Sequence, residues 1–187
     1  MLWWLWLIIA LVFVVVIMFI YYYNKFVLLG NRIDNSLSQI DVQLQKRADL
    51  VPNLVKTVQG YAKHERKIMQ AVTDARKAFL GATDIKGKLK AGNEMQNALK
   101  SIFAIAENYP QLRANENFLQ LQQELAAIED KVAYARQFYN DSILSYNNGV
   151  KVFPGAMFAS MYGMKEKEYL KIPTEAKAVP KVDFDEE

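Results

Sequence analysis

The stretch IDNSLSQIDVQLQKRADLVPNLVKTVQGY, residues 33–61, decides the fold. Ile33, Leu37, Ile40, Leu44, Val51, Leu54, Val58 and Tyr61 follow alternating spacings of four and three. This rhythm lays a narrow apolar seam along one side of a helix, whereas a half-buried strand would alternate every second residue. The seam continues through Ile68, Val72, Ala75 and Phe79, and only Arg47 and Glu65 interrupt it. Pro52 lies within it. Proline lacks an amide hydrogen and its ring crowds the preceding turn. The phase survives the proline, which favours one kinked helix. Ordinary helix lengths favour two helices meeting near residues 49–52 or Gly60.

Further along, Gly81, Gly87 and Gly92 punctuate a Lys-rich stretch that reads as a loop. A shorter helix is expected from about Asn93 to Tyr109, with Met95, Leu99, Ile102, Ala106 and Tyr109 as its stripe. Pro110 should end it. The last long helix is expected from about Asn115 to Val150, where Phe118, Leu121, Leu125, Ile128, Val132, Ala135, Tyr139, Ser142 and Tyr146 repeat the seam. No segment reads as strand. Long, coiled-coil-like helices with short connections pack side by side, so the expected class is all-α, a helix bundle.

Toward the N-terminus the character changes. Met1 to Asn24 carries no charge, and Leu2 to Tyr23 is a run of aliphatic and aromatic residues. About 20 apolar residues cross a hydrocarbon core about 30 Å thick. Trp3, Trp4 and Trp6 mark one end and Tyr21, Tyr22 and Tyr23 the other, as expected of anchors at two membrane interfaces. A secretory signal would need a basic start and a small-residue cleavage site. Neither is present, since Ala10 is the only small residue in the run. Lys25 and Arg32 follow the span and no basic residue precedes it. The positive-inside rule then expects the N-terminus outside and the rest in the cytoplasm of a bacterial inner membrane protein. Four regions result: an anchor over 1–24, a bundle over 25–150, an apolar Met/aromatic segment over 151–170 and an extended or mobile tail over 171–187.

The 187 residues include no cysteine and one histidine, with a net charge of +3. Disulfides, thiolate sites and multi-histidine metal sites are thereby excluded. No cofactor is expected.

These segments resemble the LemA family of bacterial membrane-anchored helical proteins. The resemblance starts at Tyr23-Asn24-Lys25-Phe26-Val27 and is densest in residues 38–44, from Ser38 to Leu44. It continues through Arg47-Ala48-Asp49-Leu50-Val51-Pro52-Asn53-Leu54-Val55, residues 60–65 and Ala75-Arg76. It returns in residues 135–140, Tyr146-Asn147, Phe153-Pro154 and Pro180-Lys181-Val182-Asp183-Phe184. Departures from the family pattern stand at Leu37, at the Met-rich residues 156–164 and at Tyr169-Leu170. The resemblance implies a four-helix bundle behind an N-terminal anchor. It implies no agreed catalytic residue, and some relatives belong to machinery that shapes bacterial internal membranes.

Candidate chemistry is sparse. His64-Glu65 is the one place for an acid/base pair, but neighbours on a helix point about 100° apart. Arg47 and Glu65 occupy seam positions and need partners if buried. They could meet across a helix break, whereas one continuous helix would hold them roughly 27 Å apart, with Asp141 or Glu124 as candidate partners. Asp49, Pro52 and Asn53 read as a helix start or a kink, with Asn53 or Arg47 meeting the carbonyl that the proline frees. Residues 46–90 carry eleven Lys/Arg and four Asp/Glu, while residues 91–130 carry two and six. The two charged faces either pair within the bundle, stay solvated, or dock on anionic lipid or a neighbouring copy. Nucleic acid is not expected, because no aromatic residues are interleaved with the basic ones for stacking.

The uncharged stretch VFPGAMFASMYGM, residues 152–164, is too short to span a bilayer. Phe153, Met157, Phe158, Met161, Tyr162 and Met164 could cap the bundle, join copies or touch lipid. The sequence therefore points to a non-enzymatic homo-oligomeric scaffold that organises or shapes the inner membrane, in contact with lipid. The alternative is an adaptor that recruits another membrane protein, such as a protease, transporter or sensor.

Overall fold

The computed structural model describes residues 3–170. Among these are six helices: α1 (Trp3–Tyr61), α2 (Arg66–Gly81), α3 (Ile85–Ala106), α4 (Pro110–Arg113), α5 (Glu116–Lys151) and α6 (Gly155–Met161). The described residues contain no strand. The architecture is all-α, a long apolar N-terminal helix followed by a helical bundle. The expected tail over 171–187 lies outside the described residues. The chain divides into two compact units, residues 31–138 and residues 1–30 with 139–187.

In the unit of residues 31–138, most of the 4-3 seam is the buried stripe, although Leu37, Ile68 and Leu121 are only half-buried and Tyr61 is exposed. α1 buries Ile33, Ile40, Leu44, Val51, Leu54 and Val58. α2 contributes Met69, Val72 and Phe79, α3 contributes Met95, Leu99 and Ile102, and α5 contributes Phe118, Leu125, Ile128 and Val132.

α1 runs unbroken through Pro52, so Asp49 starts no helix. The exposed Asp49 carboxylate instead accepts from Gln45 Nε2 at 2.8 Å. Pro52 cannot donate to the Ala48 carbonyl one turn back. Neither Asn53 nor Arg47 meets that carbonyl. Arg76 does, donating from Nε at 2.8 Å out of α2. A side chain of the neighbouring helix thus replaces the hydrogen bond the proline removes, and the helix continues.

The loop expected over residues 81–92 is also corrected, because α3 is helical from Ile85 onward. Asp84 caps it, its carboxylate accepting the Gly87 amide at 3.1 Å. Lys88 binds both Asp41 oxygens at 2.8 Å. Gly92 is a packing residue, since a Cβ there would stand 3.0 Å from Leu44 Cδ2. α3 ends at Ala106, and Pro110 opens the single turn α4 at its first position. Asn115 starts α5, its side-chain oxygen accepting the Phe118 amide at 3.0 Å.

In the unit of residues 1–30 and 139–187, side chains 3–17 are all exposed, and packing begins around Met18. Phe26 is buried, with its ring 6.2 Å from Tyr146. A helix of seven residues is marginal alone, so α6 depends on its packing. It ends in a Schellman motif: Met164 donates to Ala159 at 2.9 Å and Gly163 to Ser160 at 3.2 Å. Gly163 takes the left-handed conformation this requires, φ +68°.

Two asparagines of α5 hold the chain that follows. Asn147 exchanges two hydrogen bonds with the Lys167 backbone, both at 2.9 Å. Asn140 does the same with Leu170, at 2.9 and 3.4 Å. Seven helical residues span about 10 Å and so do three extended ones, which is why the two clasps fall in register. Asn147→Ala should cost about 1 kcal/mol locally, roughly a five-fold rise in opening of this strap. Faster tryptic cleavage at Lys165 and Lys167 would report it, and unchanged cleavage would refute it.

Candidate functional site

Three features offer chemistry or contact. The first is a charge cluster within residues 31–138. Arg47 sits in the apolar seam of α1 and is 1% exposed. Its Nη1 donates to the Gly92 carbonyl at 3.3 Å and its Nη2 to Glu129 Oε2 of α5. Gln96 donates to the other Glu129 oxygen. Arg136 stands about two turns further along α5 and donates from Nη2 to Asn93 at 2.7 Å. Its Nε is buried without a partner among the described residues. Burial pushes the Arg47 guanidinium below the usual arginine range; Glu129 opposes this and Arg136 adds to it. Burial lowers Arg136 in the same way, with Glu129 opposing. A permanently charged arginine held this way can lock helix register, but it cannot serve as an acid or base at neutral pH.

Arg47 and Glu65 are not brought together. Glu65 instead accepts from the Tyr109 hydroxyl at 3.2 Å. The partner of Arg47 does lie on the last helix, but it is neither Asp141 nor Glu124. Glu129 and Arg136 escaped sequence reasoning because each stands one position past a seam residue, Ile128 and Ala135. Such positions flank the core, and only the rotation of the helices decides whether they face it.

The second feature is the surface of the same unit. His64 lies exposed in the turn between α1 and α2. An open groove of about 600 Å³ is lined by Lys56, Tyr61, Asn115, Gln120 and Glu124 among others. One cation and one carboxylate among amides form no catalytic arrangement. Among the described residues, no group of three His, Asp or Glu side chains stands ready to hold a metal. Lys56, Lys63, Arg66 and Lys67 are exposed and make no ion pair among the described residues. Lys63 and Arg66 line a second groove with Val55, Met69 and Thr73.

The third feature is the aromatic cluster of the other unit. Trp3, Trp4 and Trp6 are exposed, as are Tyr21 and Tyr23. Tyr22 is half-buried and stacks on Phe158 at 4.9 Å with the rings 7° from parallel. Lys25 Nζ stands 5.5 Å from the Tyr22 ring. Phe158 is buried, and Tyr162 meets Phe19 at 4.9 Å and Tyr23 at 5.6 Å. Phe158 is thus covered by the chain itself, while Tyr162 stays partly exposed. Met164 is half-buried, its sulfur 3.5 Å from the Tyr146 hydroxyl. Phe153, Met157 and Met161 remain exposed.

α1 is the one described helix long and apolar enough to cross a membrane. The chain belongs to the LemA family, whose model matches residues 36–184. Magnetosome protein MamQ of Magnetospirillum gryphiswaldense is 27% identical over 173 residues, covering 79% of this chain and 64% of the relative. Magnetosome proteins MamQ 1 and MamQ 2 of Paramagnetospirillum magneticum are each 26% identical over 175 residues, covering 80% of this chain and 64% of theirs. The matched region thus spans just under two thirds of these curated relatives. The apolar helix and the relatives together suggest a membrane-associated protein.

Proposed function

We propose that this protein is a single-pass, non-enzymatic scaffold of the bacterial inner membrane, whose copies associate laterally to organise or shape that membrane. The observation that carries this reading is the run of residues 3–17 in α1, apolar and wholly exposed. Water would oppose so large an apolar surface, and lipid would accept it. The tryptophans and tyrosines at its ends stand about 30 Å apart along the helix axis, the thickness of a hydrocarbon core. Lys25 and Arg32, which follow the span, favour a cytoplasmic side for the chain beyond it by the positive-inside rule. The magnetosome relatives support a role in bacterial membrane organisation.

Confinement to two dimensions raises the effective concentration of the copies, so weak lateral contacts suffice to assemble them. Symmetric closed rings are the commonest result of such association. The full-length protein extracted in mild detergent should run as one large particle of defined mass and show repeating copies by imaging. A monodisperse monomer would refute the scaffold.

The exposed cations around Lys63 and Arg66 favour a second reading, an adaptor that recruits another membrane protein through an acidic surface. In that case the monomer would co-purify with a different protein, and Lys63→Glu with Arg66→Glu would abolish the co-purification.

A further inference from the structure

α6 leaves one apolar side uncovered, and its attachment to α1 indicates what covers it. Gly155, Phe158 and Ala159 are buried, while Met157 and Met161 are 58% and 66% exposed. Phe153, just before the helix, is 76% exposed. Spacings of four put Met157 and Met161 on one face of the helix, with Phe153 leading into it. A soluble protein does not ordinarily gather such residues on its surface without a partner.

The buried side of α6 fixes its level along α1. Phe158 meets Phe19 edge-on at 6.4 Å and stacks on Tyr22. The Tyr162 hydroxyl donates to the Phe19 carbonyl. A Cβ on Gly155 would stand 3.4 Å from the Tyr22 ring. All these contacts fall on the last turns of the apolar run, between Phe19 and Tyr23. Phe19 lies about 6 Å inside Tyr23 along the helix axis. Amphipathic segments lying in a membrane interface bury their apolar side about 5–10 Å past the headgroup boundary. The two depths coincide.

We propose that Phe153, Met157 and Met161 form a lipid-inserting ridge whose partner is phospholipid acyl chain in the leaflet that α1 leaves at Tyr21–Tyr23. This rests on α1 being a membrane span. The ridge is preorganised by the Tyr22 stack and the Schellman motif, so it enters lipid without first having to fold. On its flanks Lys151 is paired with Glu166 at 2.8 Å, while Lys165 is exposed at a level that suits headgroup phosphates. Side-chain volume added to one leaflet beside the anchor expands that leaflet, which gives the scaffold a local means of bending membrane.

The chain has no cysteine, so single-site labels are unambiguous. Met157→Cys, Met161→Cys, Leu11→Cys and Lys100→Cys variants of the full-length protein would each carry an environment-sensitive fluorophore. Each would be reconstituted in phosphatidylcholine/phosphatidylglycerol vesicles with acyl chains brominated near the headgroup or near the chain end. The labels at 157 and 161 should lose emission to the shallow bromines and little to the deep ones. The label at 11 should lose emission to the deep bromines, and the label at 100 to neither. If 11 is quenched but 157 and 161 are not, the ridge is overturned while the anchor stands. If 157 and 161 are blue-shifted yet unquenched, a protein surface such as a second copy covers them, and the ridge is again overturned. If no position is quenched, the anchor and the ridge both fall.

Discussion

Glu129→Ala should lower the stability of the protein by about 3 kcal/mol, because it strands a guanidinium inside an apolar seam. Arg47 is nearly fully buried, and among the described residues Glu129 is the only carboxylate paired with it. The Gly92 carbonyl would remain, a neutral acceptor against a full charge. Gln96 would lose its acceptor as well. Glu129→Gln keeps an acceptor and should cost less. Combining Arg47→Met with Glu129→Gln removes both charges and should recover most of the loss, as replacing a whole buried pair often does. Denaturant unfolding of the full-length protein in micelles, followed by helical circular dichroism, would measure all three. A Glu129→Ala protein as stable as the parent would mean that Arg47 is hydrated after all. The pairing ties α1 to α5 at one register and touches α3, so its role is to specify how three helices meet.

Arg76→Met should cost about 2 kcal/mol, and the cost should depend on residue 52. With Pro52 in place, the Ala48 carbonyl has only the Arg76 Nε as its partner among the described residues. Removing that donor leaves a buried acceptor unmet. In a Pro52→Ala background the new amide can supply the ordinary helical hydrogen bond, so the same Arg76→Met change should cost about 1 kcal/mol less. The double-mutant cycle therefore has a stated sign. Additive costs would show that the arginine acts only through its packing and charge, and that the carbonyl is satisfied by water.

Both predictions rest on groups that sequence periodicity located only in part. Arg47 stood out because it breaks a seam of apolar residues, and a charge there must find a partner. The partner could not be identified, because α5 offers several carboxylates within a few turns and helix rotation selects among them. Pro52 was visible as an interruption, but its remedy comes from a helix that begins fourteen residues later, beyond any local rule. The glycines at 87 and 92 misled the reading toward a loop. Gly92 serves close packing against Leu44, and a local pattern cannot separate that use from a turn. Asn140 and Asn147 belonged to quoted motifs, yet their clasp on Lys167 and Leu170 depends on the chain turning back after α6.

At the membrane-facing end the division is equally physical. Hydrocarbon length and aromatic ends identify an apolar helix from composition alone, since they depend on residue type and count. They cannot tell which of Tyr21, Tyr22 and Tyr23 faces outward, nor which side of the Met/aromatic segment is covered. Tyr22 and Phe158 turn inward onto each other, and this leaves Phe153, Met157 and Met161 as the exposed ridge. The amino-acid order by itself determined the helical class, the buried seam and the apolar run, because each follows from the period of a single helix. Tertiary structure alone decided the partners of Arg47 and Ala48, the clasp on the strap and the exposed side of α6, because each needs the rotation and register of helices distant in the chain.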